Sequence, residues 1–168
     1  DTGLVRVDKY VTTHDCGTVL HEGMVEGQIR GAFAQGVGAA LYEELAYAED
    51  GAFLAGTFAD YPVPTAHEIP DLDILHVCTP SPLTPLGAKG VGEGNCMSTP
   101  VCIANAVADA LGSRLDGIEL TLPLTPARIL ALLDDGEPDA PHSAKRKAPA
   151  GGRGLTGQGQ AFMKSSPQ

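Results

Sequence analysis

Within the run Gly87-Ala88-Lys89-Gly90-Val91-Gly92-Glu93-Gly94 the chain carries four glycines, one cation and one carboxylate. Glycine permits positive φ and close approach of backbone to another group. A glycine-rich run that leads into a helix turns free N–H groups, and the positive end of the helix dipole, toward an anion. Glu93 stands between Gly92 and Gly94, with no neighbouring bulk to keep it from a bound reactive centre. It is therefore a candidate general base. Two phosphate loops fail on spacing: Lys89 is not followed by the hydroxyl of a Walker loop, and Gly90-Val91-Gly92-Glu93-Gly94 lacks the Gly-x-Gly-x-x-Gly order of a dinucleotide fingerprint. Composition alone also allows a plain flexible connector.

A second set of polar groups lies upstream. Gln28 and Gln35 are seven residues apart, which puts both on nearly one face of a helix. Gly27, Gly31 and Gly36 strip bulk from their surroundings. A primary amide supplies donors and an acceptor together, suiting a heterocycle edge or a metal-bound oxygen. Two solvated glutamines on a surface helix would show the same spacing.

The elements that must position these groups can be read from pattern. Residues 4–13 alternate enough to predict a strand. From Met24 to about Ala48 the apolar residues Val25, Ile29, Phe33, Val37, Leu41 and Leu45 recur every four positions and predict one long helix. Glycines within it suggest close approach by a backbone or a ligand. Residues 52–61, 73–79 and 118–124 are predicted strands. Thr99-Pro100 predicts an N-cap with Pro at the first helical position, opening a helix that stops at Gly112, and Thr125-Pro126 predicts a short one ending near Leu133. Beyond Asp134, a Gly-, Pro-, Ala- and Ser-rich stretch predicts a disordered basic tail over residues 135–168.

Charge excludes one class of partner. The net charge is −10. Residues 1–136 hold 6 Lys and Arg against 19 Asp and Glu, so clustered cations for nucleic acid are lacking. No run of 18 apolar residues predicts a membrane span. Cys16, Cys78, Cys96 and Cys102 form no Cys-x-x-Cys pair and read as free thiols of a cytoplasmic protein. His14, His21, His67, His76 and His142 are scattered, so no protein ligand to a metal is assigned; His14 is expected to cap a turn with Asp15.

The run SPLTPLGAKGVGEG, followed by TPVCIANAVADAL, resembles the C-terminal part of the large, molybdenum-binding subunit of the xanthine dehydrogenase/aldehyde oxidase family, in its carbon monoxide dehydrogenase-like branch. HDCGTVLHEGMVEGQIRGAFAQGVGAALYEE is similar to the family's Gly-Gln segment, and the two motifs stand in family order across residues 1–134. The resemblance implies an α+β fold, part of a larger molybdenum-cofactor-binding domain over residues 1–134, with mixed strands and two main helices. It implies molybdopterin, in its cytosine dinucleotide form, with Gln28, Lys89, Gly90, Val91 and Gly92 against it and Gln35 in support. Lys89 could equally be a surface cation. Glu93 would be the base for a molybdenum-bound hydroxyl, against the plainer reading of a carboxylate favoured by a helix N-terminus. The substrate would be an aldehyde, an N-heterocycle or carbon monoxide. Partners would be an FAD-binding medium subunit and a 2Fe-2S small subunit in a hetero-oligomer.

Two departures from the family pattern concern the site. His21-Glu22 stands where Asn-Pro is common, altering the turn that feeds the Gln28 helix. Asn95-Cys96-Met97 replaces a stretch of small residues and proline, so Cys96 or Met97 is expected to reshape the substrate side. The start at Asp1, without Met, suggests a piece of a longer polypeptide. A truncated, non-catalytic remnant with a structural or assembly role is the alternative reading.

Overall fold

The computed structural model describes residues 2–115 and 118–133, which form an α+β arrangement. In chain order these are β1 (Tyr10–His14), α1 (Glu22–Leu41), β2 (Leu72–His76), α2 (Gly94–Leu111), a single 3-10 turn (Gly112–Leu115) and α3 (Pro126–Leu133). β1 and β2 pair in parallel, in register from Tyr10 opposite Leu72 to His14 opposite His76.

The four-residue repeat holds through the first five of its members. Val25, Ile29, Phe33, Val37 and Leu41 are buried, and Phe33 stacks on Tyr10 of β1 with ring centroids 4.7 Å apart. Leu45 is exposed, because α1 ends at Leu41 rather than near Ala48. There the amides of Tyr42 and Glu43 both donate to the Gly38 carbonyl, closing the last turn before the repeat is complete. Ile103 and Val107 of α2, Leu72 of β2, Leu124 and the α3 residues Ile129 and Leu132 complete the core.

Three predicted strands change. Residues 4–9 lie outside β1, which begins only where Asp71 is at hand to accept from the Tyr10 amide. Residues 52–61 hold one isolated bridge, Tyr47 with Phe53, before a turn in which Asp60 and Tyr61 both donate to the Thr57 carbonyl. Residues 118–124 are irregular; Pro123 has no N–H to give a ladder, and the Leu124 amide donates instead to Ala40 at the end of α1. The strand predicted at 73–79 is present as β2 but ends at His76, and the Thr125-Pro126 helix is present as α3.

The second helix starts earlier than Thr99-Pro100 predicts. Glu93 takes the N-cap position, α2 opens at Gly94, and Pro100 lies inside it. The Cys96 amide closes the first turn on the Glu93 carbonyl, and the Ser98 hydroxyl donates to the Gly94 carbonyl. The disorder expected of residues 135–168 lies outside the described residues.

Glycine placement separates two faces of α1. A Cβ on Gly36 would stand 2.6 Å from Thr99 Cβ and 3.0 Å from the Asn95 carbonyl oxygen, so α1 and α2 touch there with no room for a side chain. On Gly27 and Gly31 it would meet nothing within 4 Å. Close approach by other parts of the chain is thus met at Gly36, and at Gly38 against the Glu43 side chain, while Gly27 and Gly31 face open space.

Candidate active site

The glycine-rich run is stitched to the end of β1. Thr18 donates to the Gly87 carbonyl at 3.1 Å, and the Lys89 amide to the Cys16 carbonyl at 2.7 Å. Gly17 and Gly87 both have positive φ, and a side chain on either would collide with the other strand of this stitch or with Pro80 and Thr18. Asp15 fastens the corner: its Oδ1 accepts from the Gly17 amide at 2.8 Å, the Thr79 amide at 3.2 Å and Lys89 Nζ at 3.0 Å. These donors, the Gly17 amide first, hold the Asp15 carboxyl well below its ordinary value of 3.8. His14, expected to cap this turn with Asp15, instead lays its ring against Gly94.

From Gly90 to Gly92 the ribbon is bare. A Cβ on Gly90 or Gly92 would meet nothing within 4 Å. Glu93 follows, exposed, its side chain making no capping hydrogen bond. Three residues on from Glu93, Cys96 Sγ donates across the helix pair to Gln35 Oε1 at 3.2 Å. Burial, and after it the charge of Glu93, pushes the Cys96 thiol up, which keeps it a neutral donor to that amide. Met97 is 73% exposed.

Cys96, in the first turn of α2, thus meets Gln35 of α1 and feels the charge of Glu93. Gln28 is exposed on the same face of α1 as Gln35, about 10.5 Å further along the helix at 1.5 Å per residue. Lys89 is directed to Asp15, and Val91 is half-buried against the core. The turn feeding α1 needs no asparagine: His21 is its N-cap, with Nδ1 accepting from the Met24 amide at 3.1 Å. Sequence reasoning missed the polar seam behind Glu93. Thr12 of β1 donates to Asn95 Oδ1 at 3.1 Å in a buried contact, and Asn95 Nδ2, Thr99 Oγ1 and His14 Nε2 have no partner among the described residues. The alternation Tyr10, Thr12, His14 along a strand was the signal available for it.

A bare glycine ribbon, an exposed carboxylate without a capping bond and an amide-bearing helix face lie on the described surface. The chain belongs to the molybdenum-binding large subunits of the xanthine dehydrogenase/aldehyde oxidase family. A family model for the molybdopterin cofactor-binding domain matches residues 1–70. The chain is 42% identical over 129 residues to the nicotine 6-hydroxylase large subunit of Paenarthrobacter nicotinovorans, covering 77% of this chain and 16% of that one. It is 38% identical over 110 residues to the carbon monoxide dehydrogenase large chain of Afipia carboxidovorans, covering 66% of this chain and 14% of that one. The crystal structure of quinoline 2-oxidoreductase from Pseudomonas putida 86 superposes with a TM-score of 0.76 at 41% identity, over 81% of this chain and 17% of that one. The chain thus spans about a sixth of the length of these relatives. Among the described residues no helix is long and apolar enough to cross a membrane, and no three His, Cys, Asp or Glu side chains are grouped to hold a metal ion.

The Asp15 corner yields a pH signature. A carboxyl whose folded value lies below its unfolded one stabilises above the unfolded value and loses that contribution as pH falls toward the folded one. Asp15→Asn is expected to lower the Tm of the intact subunit at pH 7, with the deficit shrinking below about pH 4. Melts of both proteins across that range check it; a deficit independent of pH would assign the loss to something other than this carboxylate.

Proposed function

We propose that this chain forms part of the cofactor site of a molybdenum hydroxylase large subunit, with Glu93 as the catalytic base. The observation that carries the reading is the exposed, uncapped Glu93 between a bare ribbon and the Gln35–Cys96 contact. The residues fit the cofactor on their own chemistry. Gly90, Gly92, Gly27 and Gly31 leave space where side chains would block a planar heterocycle. Gln28 offers both donors and an acceptor to its edge. Molybdenum would be held by the pterin, taken here in its cytosine dinucleotide form. Backbone from Gly90 to Gly92 would lie against it, and Lys89, fixed on Asp15, would contribute positive charge at the base of the loop.

When bound, the cofactor supplies an acidified hydroxyl and an acceptor for two electrons. Glu93, exposed and making no capping hydrogen bond, would accept the proton of that hydroxyl. Gln35 and Cys96 flank the carboxylate, and Met97, exposed one helical step on, lines the side where the substrate arrives. The nicotine and quinoline enzymes among the relatives favour an N-heterocycle over an aldehyde or carbon monoxide as that substrate. Electrons would leave through 2Fe-2S clusters to FAD on partner subunits of a cytoplasmic hetero-oligomer, in keeping with relatives described as subunits of a complex. The test is Glu93→Gln in the intact enzyme, read as turnover against molybdenum content: lost turnover at normal metal supports the base, and retained turnover removes it.

A further inference from the structure

The bare ribbon raises a question of precision. A Cβ on Gly90 or Gly92 would meet nothing within 4 Å, so before Glu93 the ribbon is held only at Lys89 and by the half-buried Val91. The closest-packed contacts near the carboxylate lie on the other side, on the residues that follow it. Gly94 packs so closely against the His14 ring that no side chain fits between them. Asn95 is 3% exposed and accepts the Thr12 hydroxyl at 3.1 Å. Thr99, one turn further on, is fully buried against Gly36 of α1. His14 and Thr12 lie two residues apart on β1 and so present to one face of the strand.

We propose that the inward face of β1 is the positioning device for Glu93, with Thr12 and His14 as positioning residues that clamp Asn95 and Gly94 and so set where the carboxylate stands. The proposal rests on Glu93 being the base, and it goes beyond that assignment by naming what aims it. The chemistry of the clamp is economical. An asparagine buried at the second position of a helix has its amide out of water, so its one side-chain hydrogen bond fixes direction as well as contact. A valine–leucine pair would fill the same space with no preferred orientation. The His14 ring supplies a flat stop that only glycine tolerates at position 94. Between them the two contacts remove the translation and the rotation of the first turn of α2. The glycine ribbon in front remains free to conform to what it wraps. Misplacing a general base by a fraction of an ångström lowers the rate of the chemical step without changing the affinity for substrate.

Thr12→Val and Thr12→Ser in the intact, cofactor-loaded enzyme test this. Valine keeps the shape and removes the hydroxyl; serine keeps the hydroxyl. Expected for Thr12→Val is a fall in kcat of about tenfold with KM within about twofold, normal molybdenum content, and faster deuterium exchange at the amides of residues 94–98. Thr12→Ser should restore both kcat and exchange. Unchanged kcat and exchange in Thr12→Val would overturn the proposal. So would loss of fold or metal in Thr12→Val, which would make the contact a general structural one, and so would failure of serine to rescue. The exchange arm is independent of the base assignment: if Glu93→Gln kept turnover while Thr12→Val still loosened residues 94–98, the base would be wrong and the clamp real.

Discussion

Glu93→Gln in the intact enzyme is expected to lower kcat by about a thousandfold, in the range that positioned proton transfer contributes to catalysis. The substitution is close to isosteric and keeps the side chain's reach, so what it removes is the capacity to accept a proton. Nothing in the fold depends on the charge: Glu93 makes no capping hydrogen bond and its carboxylate is exposed. The first turn of α2 closes on the Glu93 carbonyl, which glutamine retains. Molybdenum content and Tm are therefore expected to stay near those of the parent. A loss of metal in proportion to the loss of activity would make Glu93 a binding residue and not a base. One side effect accompanies the change. With the neighbouring charge gone, part of what pushes the Cys96 thiol up disappears, so its alkylation rate should rise modestly.

Gly36→Ala is expected to be strongly damaging, because the new methyl would meet a buried β-branched side chain and a helix carbonyl. The new Cβ would stand 2.6 Å from Thr99 Cβ, 3.1 Å from its Cγ2 and 3.0 Å from the Asn95 carbonyl oxygen. A β-branched side chain with restricted χ1 and a helix carbonyl cannot turn aside, so the helices must part. Overpacking of this kind costs about 1–3 kcal/mol, and the strain here belongs at the upper end. Alanine's better helix propensity returns about 1 kcal/mol, leaving a net loss of about 2 kcal/mol. Because Asn95 is also the residue held by Thr12, the parted helices should disturb Glu93 as well. Gly31→Ala is the matched comparison. Its Cβ meets nothing within 4 Å, so the fold should gain slightly while the side of α1 proposed to face the cofactor loses space. Chemical melts together with metal analysis of the two variants check the contrast: Gly36→Ala should lower stability and Gly31→Ala should lower molybdenum content. The reverse pattern would place the cofactor on the wrong face of α1.

Much of this arrangement is written in local sequence, and the remainder is not for identifiable reasons. The α1 stripe from Val25 to Leu41 is legible because a four-residue repeat has one helical meaning, and the α3 start is legible from Thr125-Pro126. The α2 start is misread because Thr-Pro is a strong cap signal, whereas the true start at Gly94 uses a glutamate N-cap with no side-chain bond. A proline inside the helix is tolerated there, and no local rule foretells it. Strands at 4–9, 52–61 and 118–124 are misread because alternation reports a face to bury, while a strand also needs a partner edge; among the described residues only Tyr10–His14 and Leu72–His76 supply one another with it. At the site, Glu93 and the glutamines are visible from spacing and glycine content. The family resemblance gave them roles. Thr12 and Asn95 are 83 residues apart in sequence, and no periodicity connects a strand threonine to a helix asparagine across that distance.

The central claim is that a nearly side-chain-free ribbon presents one carboxylate to a molybdenum centre. A crystal structure of the intact, cofactor-loaded enzyme measures it directly. The account predicts a Glu93 carboxylate oxygen within hydrogen-bond reach, about 2.6–3.2 Å, of a ligand atom on the metal, with Gln28 against the pterin. A Glu93 side chain turned to bulk water, with the metal on another face of the chain, would contradict it.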